Sequence, residues 1–297
     1  MPFKLSRRQV LGAALLSALQ FPARAIAATA PAINLTDTGG SGKPTLLFIH
    51  GYARSLEDWA PQVEGLSATH RCIAMDLPGH GKSPRSDEAT IAALARGVST
   101  TLESLRLKDV ILVAHSMGCR VAAEAYMQSP SRIGGIAWLD GSLLASNDPE
   151  AAVKRISDMI DKTGIGAVSS RVADGAFVES TPAELRAQIK ARQPNVEVDP
   201  GFWKGIFVDT VRWDGVRALE ALKAIAVPTL IIQSTMLNAE LKRVSIGADS
   251  TTPWMTEVAK SVRKSRAERV LGAGHFVMLE ASTKVNDLLA QFVRGRT

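Results

Sequence analysis

Six apolar runs bounded by turn-forming residues recur along the chain, at 45–49, 71–75, 110–114, 136–139, 229–232 and 268–271. Within each run the apolar residues are continuous rather than alternating, which suits strands covered on both faces. Stretches of helical character separate most of them. Such strand and helix alternation predicts an α/β fold with a mostly parallel central sheet and helices on both faces. Ligands bind beyond the carboxyl ends of the strands in sheets of this kind, so chemistry is to be sought just after each run. Over 147–224 the pattern changes to helical segments without strand-like runs, as a helical cap inserted into a core of 28–146 and 225–297 would read.

With 297 residues, 46% hydrophobic and 22% charged, the chain reads as an ordinary globular protein, not as a disordered, collagenous or coiled-coil one. The 35 basic and 29 acidic residues give a formal charge of +6, but four of the basic residues, Lys4, Arg7, Arg8 and Arg24, lie in an acid-free stretch over 1–27. The remainder carries an excess of only two positive charges with no basic run, so nothing points to nucleic acid. Two cysteines exclude a disulfide scaffold, and no paired Cys or His spacing suggests a metal site. No cofactor is expected.

The first 27 residues read as an export signal. Lys4, Arg7 and Arg8 form a positive start, 10–19 is a short apolar stretch, and Ala25-Ile26-Ala27 offers small residues for cleavage. That stretch falls short of the roughly 20 residues needed to span a bilayer, so no stable membrane insertion is expected after its removal. Ser6-Arg7-Arg8-Gln9-Val10-Leu11 is similar to the twin-arginine signal, without the Phe and trailing Lys often found there. The expected location is periplasmic or secreted. Cys72 and Cys119, both in apolar surroundings, are expected to remain free, buried thiols.

The run at 110–113 leads into Ala114-His115-Ser116-Met117-Gly118-Cys119 and then into a good helix. A serine on a tight turn between strand and helix, flanked by small residues that let the two approach, is held with its hydroxyl exposed above the sheet. The segment resembles the nucleophile elbow G-x-S-x-G of the α/β-hydrolase family, with alanine in place of the first glycine. Further matches follow in that family's order. Leu46-Leu47-Phe48-Ile49-His50-Gly51-Tyr52 resembles the strand and His-Gly turn that shape the oxyanion hole. Asp76-Leu77-Pro78-Gly79-His80-Gly81-Lys82-Ser83 resembles a structural turn, with His80 as a turn residue. Gly272-Ala273-Gly274-His275-Phe276 resembles the loop of the catalytic histidine.

The resemblance implies a serine hydrolase that cleaves carboxylic esters or lactones of small to medium size through an acyl-enzyme; the N-terminal segment makes it an exported one, and the apolar, aromatic-bearing cap favours a neutral, hydrophobic substrate. Ser116 would be the nucleophile, His275 the general base, and the backbone N–H groups of Tyr52 and Met117 the oxyanion hole. The acid departs from the common pattern, because Gln233-Ser234-Thr235-Met236-Leu237-Asn238 holds no carboxylate where most relatives carry one. Asp140, after the preceding run, is the preferred candidate, as in branches of the family that place the acid early. Asp249, in a delayed turn, is the alternative, and Glu240 stands behind both. Phe177, Phe202, Trp203, Phe207, Trp213 and Trp254 either line an apolar pocket or join cap to core. Other chemistries of the same triad, carbon–carbon bond hydrolysis or peracid formation, remain open, as does a slow-turnover ligand-binding protein. The oligomeric state is not legible.

Overall fold

The computed structural model describes residues 33–144, 146–238 and 242–296. The expected export segment and Glu240 lie outside these. Among the described residues the strands are β1 (Leu35–Asp37), β2 (Leu46–Ile49), β3 (Cys72–Met75), β4 (Val110–His115), β5 (Ile133–Leu139), β6 (Thr229–Gln233), β7 (Thr235–Leu237), β8 (Arg243–Ser245) and β9 (Ser265–Arg269). The helices are α1 (Ala60–Leu66), α2 (Ile91–Ser104), α3 (Met117–Gln128), α4 (Pro149–Thr163), α5 (Ile165–Asp174), α6 (Ala183–Ala191), α7 (Pro200–Val216), α8 (Ala218–Ala224), α9 (Pro253–Ser261), α10 (Val277–Glu280) and α11 (Ser282–Arg294).

Seven strands form one sheet in the order β1-β3-β2-β4-β5-β6-β9, parallel except for the antiparallel edge strand β1. Its central strands are buried along their length, and successive residues serve opposite faces. Leu47, Ile49, Ile73, Leu112 and Trp138 pack with Leu94, Val98, Val121, Leu222 and Val258 of α2, α3, α8 and α9. Leu46, Phe48, Ala74, Val113 and Leu139 pack on the other face with Leu66, Val285, Leu288 and Phe292 of α1 and α11. The doubly covered sheet expected from the continuous apolar runs is therefore present. Both cysteines are buried and free, and burial pushes their thiols up, to about 11 at Cys72 and about 12 at Cys119.

Three features differ from expectation. The last sheet strand is Ser265–Arg269 rather than 268–271, because β9 is an edge strand of half-buried, largely charged residues, and edge strands carry such residues to resist pairing with other chains. The two-stranded hairpin β7-β8 is absent from the pattern, since each strand has three residues. Within the segment read as cap, α8 packs against α3 and α9 on a face of the main sheet, while α4, α5 and α7 pack on one another. Among the described residues no helix is long and apolar enough to cross a membrane.

Candidate active site

Strands β2, β4, β5, β6 and β9 run parallel, so the loops after them gather at one end of the sheet. Ser116 follows β4 and caps α3 with φ 55°, a left-handed conformation costly for a residue with a Cβ and concentrated at functional sites in folded proteins. The turn is possible only where the neighbours are small. A Cβ on Gly118 would stand 2.6 Å from the His50 carbonyl oxygen, and one on Gly51 would stand 3.2 Å from Cβ of Ser116. Ala53, beside Tyr52, and Asp140 also have positive φ, 53° and 46°. Backbone strain thus accompanies three of the loops that meet here.

Ser116 Oγ lies 2.9 Å from His275 Nε2, and His275 Nδ1 lies 2.7 Å from Asp140 Oδ2. The ionised carboxylate can only accept, so Nδ1 carries the proton and Nε2 is left to accept from the serine hydroxyl. The backbone of His275 is held from three sides. Its N–H donates to the Ala176 carbonyl, its carbonyl accepts from His115 Nε2 at 2.8 Å, and Glu280 accepts from the N–H groups of Gly274 and Phe276 on either side. Burial pulls His275 down to about 4, and the positive charge of Arg243 adds to this, against the hydrogen bond and charge of Asp140. Asp140 is fully buried. Burial favours its neutral form, yet the hydrogen bond from His275 and the charge of Arg243 hold its carboxyl well below the usual range.

Asp140 sits at the end of β5 and reaches across to the segment after β6. Its Oδ1 accepts from the N–H groups of Ser234 at 2.9 Å and Thr235 at 2.7 Å and from Gln233 Nε2 at 3.1 Å, and its Oδ2 from Thr235 Oγ1. The stretch Gln233-Ser234-Thr235, which lacks an acid of its own, supplies the donors that hold one. Asp249 lies exposed in the turn after β8, and Asp140 occupies the ring nitrogen of His275 that it would have served.

Tyr52 and Met117 line a cavity of about 150 Å³ together with Ser116 and His275. Met117 is the first residue of α3, so its N–H has no partner within the helix and points outward from the positive end of the helix dipole. Two of the other histidines hold turns. His50 accepts from the Leu77 N–H through Nε2, and His80 donates to the Pro78 carbonyl while packing edge-on against Trp203. Asp76 of the D-x-P-G-x-G-x-S turn ties three segments, accepting from Asn34 Nδ2 and from the N–H groups of Leu56 and Lys82.

The aromatic residues divide between the two roles expected of them. Phe207 lines the 150 Å³ cavity, and Phe177 lines an adjoining one of about 770 Å³ between α4, α5 and α7 that shares Leu144, Val172 and Phe207 with it. Trp203 meets Tyr52 edge-on, Trp254 packs on Trp138, and Trp213 donates to Glu124, all as contacts within the body of the protein. Two buried arginines on the cavity wall, Arg120 and Arg243, were not singled out in the sequence. Arg120 offered a signal, a cation in the mostly apolar first two turns of the helix after the elbow. Arg243 offered none.

The model of the alpha/beta hydrolase family matches residues 46–288, which include the elbow, Asp140 and His275. The chain belongs to the alpha/beta hydrolase family. Among curated members, it is 26% identical over 269 residues to the dihydrolipoyllysine-residue acetyltransferase component of the acetoin cleaving system of Pseudomonas putida, covering 87% of this chain and 65% of that one. It spans 26% of the counterpart in Cupriavidus necator, at 36% identity over 99 residues, 33% of this chain. These relatives are thus longer than the region they share. Monoacylglycerol lipase ABHD6 of Mus musculus is 24% identical over 274 residues, 84% of this chain and 76% of the lipase. In structure, the hydrolase fold matches a thermophilic esterase of Thermogutta terrifontis with a TM-score of 0.71 at 21% identity, over 89% of this chain and 94% of that one.

Proposed function

We propose that this hydrolase cleaves carboxylic esters or lactones with Ser116 as nucleophile, His275 as general base and then acid, and Asp140 as the carboxylate that orients the ring. The observation that carries the reading is the unbroken chain from Ser116 Oγ through both nitrogens of His275 to Asp140 Oδ2, at 2.9 and 2.7 Å. His275 takes the hydroxyl proton as Oγ attacks the carbonyl carbon, and the imidazolium so formed returns it to the leaving alkoxide. Water, deprotonated by the same ring, then releases the acyl group. The depressed basicity of His275 keeps the ring neutral and ready to accept a proton across the neutral pH range. Tyr52 and Met117 N–H groups serve the oxyanion, a contribution of about 3 kcal/mol for each donor in comparable sites. The names of the esterase and lipase relatives agree with this bond class.

The test is labelling by a neutral fluorophosphonate together with turnover of a series of p-nitrophenyl esters. Ser116→Ala should lose both while keeping its melting temperature. Labelling that persists in the variant places the nucleophile elsewhere. Export belongs to the same proposal. Replacing Arg7 and Arg8 by Lys should retain the protein in the cytoplasm, and unchanged export would indicate the general secretory route.

A further inference from the structure

Arg120 and Arg243 both line the cavity that holds Ser116 and His275, and their surroundings differ. Arg120 is saturated. It donates from Nε and Nη2 to the two oxygens of Asp214 at 2.7 and 2.6 Å, and from Nη2 to the Ser142 carbonyl at 2.9 Å. The contacts of Arg243 are all long: Asp140 Oδ2 at 3.4 Å, Thr235 Oγ1 at 3.5 Å and Ser142 Oγ at 3.4 Å. Charge-assisted N–H···O bonds normally close to about 2.7–2.9 Å. Asp140, the only carboxylate among those contacts, is already committed to His275, Thr235 and the backbone after β6. Arg243 is therefore a guanidinium with 8% of its side-chain surface exposed and no oxygen at full hydrogen-bond distance among these contacts.

Its position also works against the proposed triad. A cation beside Asp140 weakens the field that would stabilise an imidazolium at His275. A second anion bound at Arg243 would cancel that effect. The adjoining 770 Å³ cavity, which Arg243 also borders, is walled by apolar residues such as Ile156, Met159 and Phe177 and carries Arg171 and Lys242 on its lining. The one acid there, Asp174, is paired with Lys190. The basic groups in the two cavities thus outnumber the free acids.

We propose that Arg243 anchors a substrate carboxylate, so that the esters or lactones cleaved here carry an anionic group near the scissile carbonyl and an apolar body that extends into the larger cavity. This rests on Ser116 being the nucleophile. It replaces the neutral substrate expected from the aromatic content of the cap alone, because the buried cation comes from β8, outside the cap. The guanidinium presents two parallel N–H donors to a carboxylate, which a lysine at the same place cannot do.

The measurement compares 4-nitrophenyl hydrogen glutarate with its methyl ester, which has the same leaving group and no charge. Wild-type kcat/KM should favour the acid at least 10-fold, and Arg243→Gln should lower that ratio about 10- to 100-fold, chiefly through KM, the loss expected of a charge-assisted hydrogen bond. Arg243→Lys should give an intermediate ratio. In parallel, glutarate binding to Ser116→Ala, measured by calorimetry, should weaken by a similar factor when Arg243→Gln is added. Neutral fluorophosphonate labelling of Ser116 reports whether each variant retains an assembled site. A wild-type ratio of one or below, or an unchanged ratio in a labelled Arg243→Gln, overturns the anchor. If Arg243→Gln does not label, the wild-type ratio and the Arg243→Lys ratio decide in its place. If the wild type neither labels nor cleaves either ester, the hydrolase reading itself fails and takes this proposal with it.

Discussion

The Ser116 side and the Asp140 side of the site are built on different principles. Around Ser116 the frame is mostly local, a strand, one strained residue and a helix, with one outside contact where Gly51 and Gly118 let the His50 loop and the elbow touch. Around Asp140 everything is assembled from a distance, with a carboxylate from the end of β5, donors from 233–235, a cation from β8 and a histidine 135 residues away in sequence. The first side is tolerant of little because its constraint is steric. The second distributes one charge over many hydrogen bonds, so each of its donors other than His275 should be individually dispensable to a degree.

That contrast orders the expected losses. Ser116→Ala should reduce kcat for a p-nitrophenyl ester by about 10⁵-fold or more, as loss of a triad nucleophile does elsewhere. Asp140→Asn, which keeps size and removes charge, should cost about 10³- to 10⁴-fold in kcat with labelling slowed in proportion. A loss below about 10-fold would move the acid role away from Asp140. Thr235→Val removes one donor to Asp140 Oδ2 and should cost about 10- to 100-fold, the value of one hydrogen bond to a charged group. A loss as large as that of Asp140→Asn would show the acid side to be as intolerant as the elbow.

The acid limb of the pH profile sharpens the comparison further. In the proposed mechanism His275 must be neutral to accept the serine proton, and its basicity is pulled down to about 4, so kcat/KM for a neutral ester should stay level from pH 8 to roughly pH 5 and fall about tenfold per unit below pH 4. Removing the positive charge of Arg243 raises the basicity of His275, so Arg243→Gln should move that limb to higher pH. A limb near pH 6.5 in the wild type would mean that the site is wetter than its burial implies. Asp249→Asn should change kcat less than twofold, since Asp249 is exposed and Asp140 already fills the position on His275.

How far each side could be read from sequence follows from the same difference. Ser116 and His275 sit in short contiguous motifs, because a steric requirement for small residues leaves its mark within a few positions. Asp140 could be named only among three candidates, because its selection depends on donors contributed by Gln233, Ser234 and Thr235, residue types that occur in any turn. Arg243 left no mark, being one basic residue on a three-residue strand whose pairing with β7 is itself invisible to periodicity. The sheet was legible where its strands are buried on both faces and misplaced at β9, where an edge position allowed Ser, Arg and Glu to replace the apolar signal.

Helix α7 is riveted to the elbow helix. Arg120 and Asp214 join α3 to α7 through a buried two-pronged ion pair, and Glu124 adds bonds from Trp213 and, just beyond α7, Arg217. Leaving one charge of such a pair unmet costs about 3–5 kcal/mol, so this wall of the cavity does not swing as a door. Amides of α7 around Asp214 should therefore exchange with solvent slowly, and Asp214→Asn should speed them.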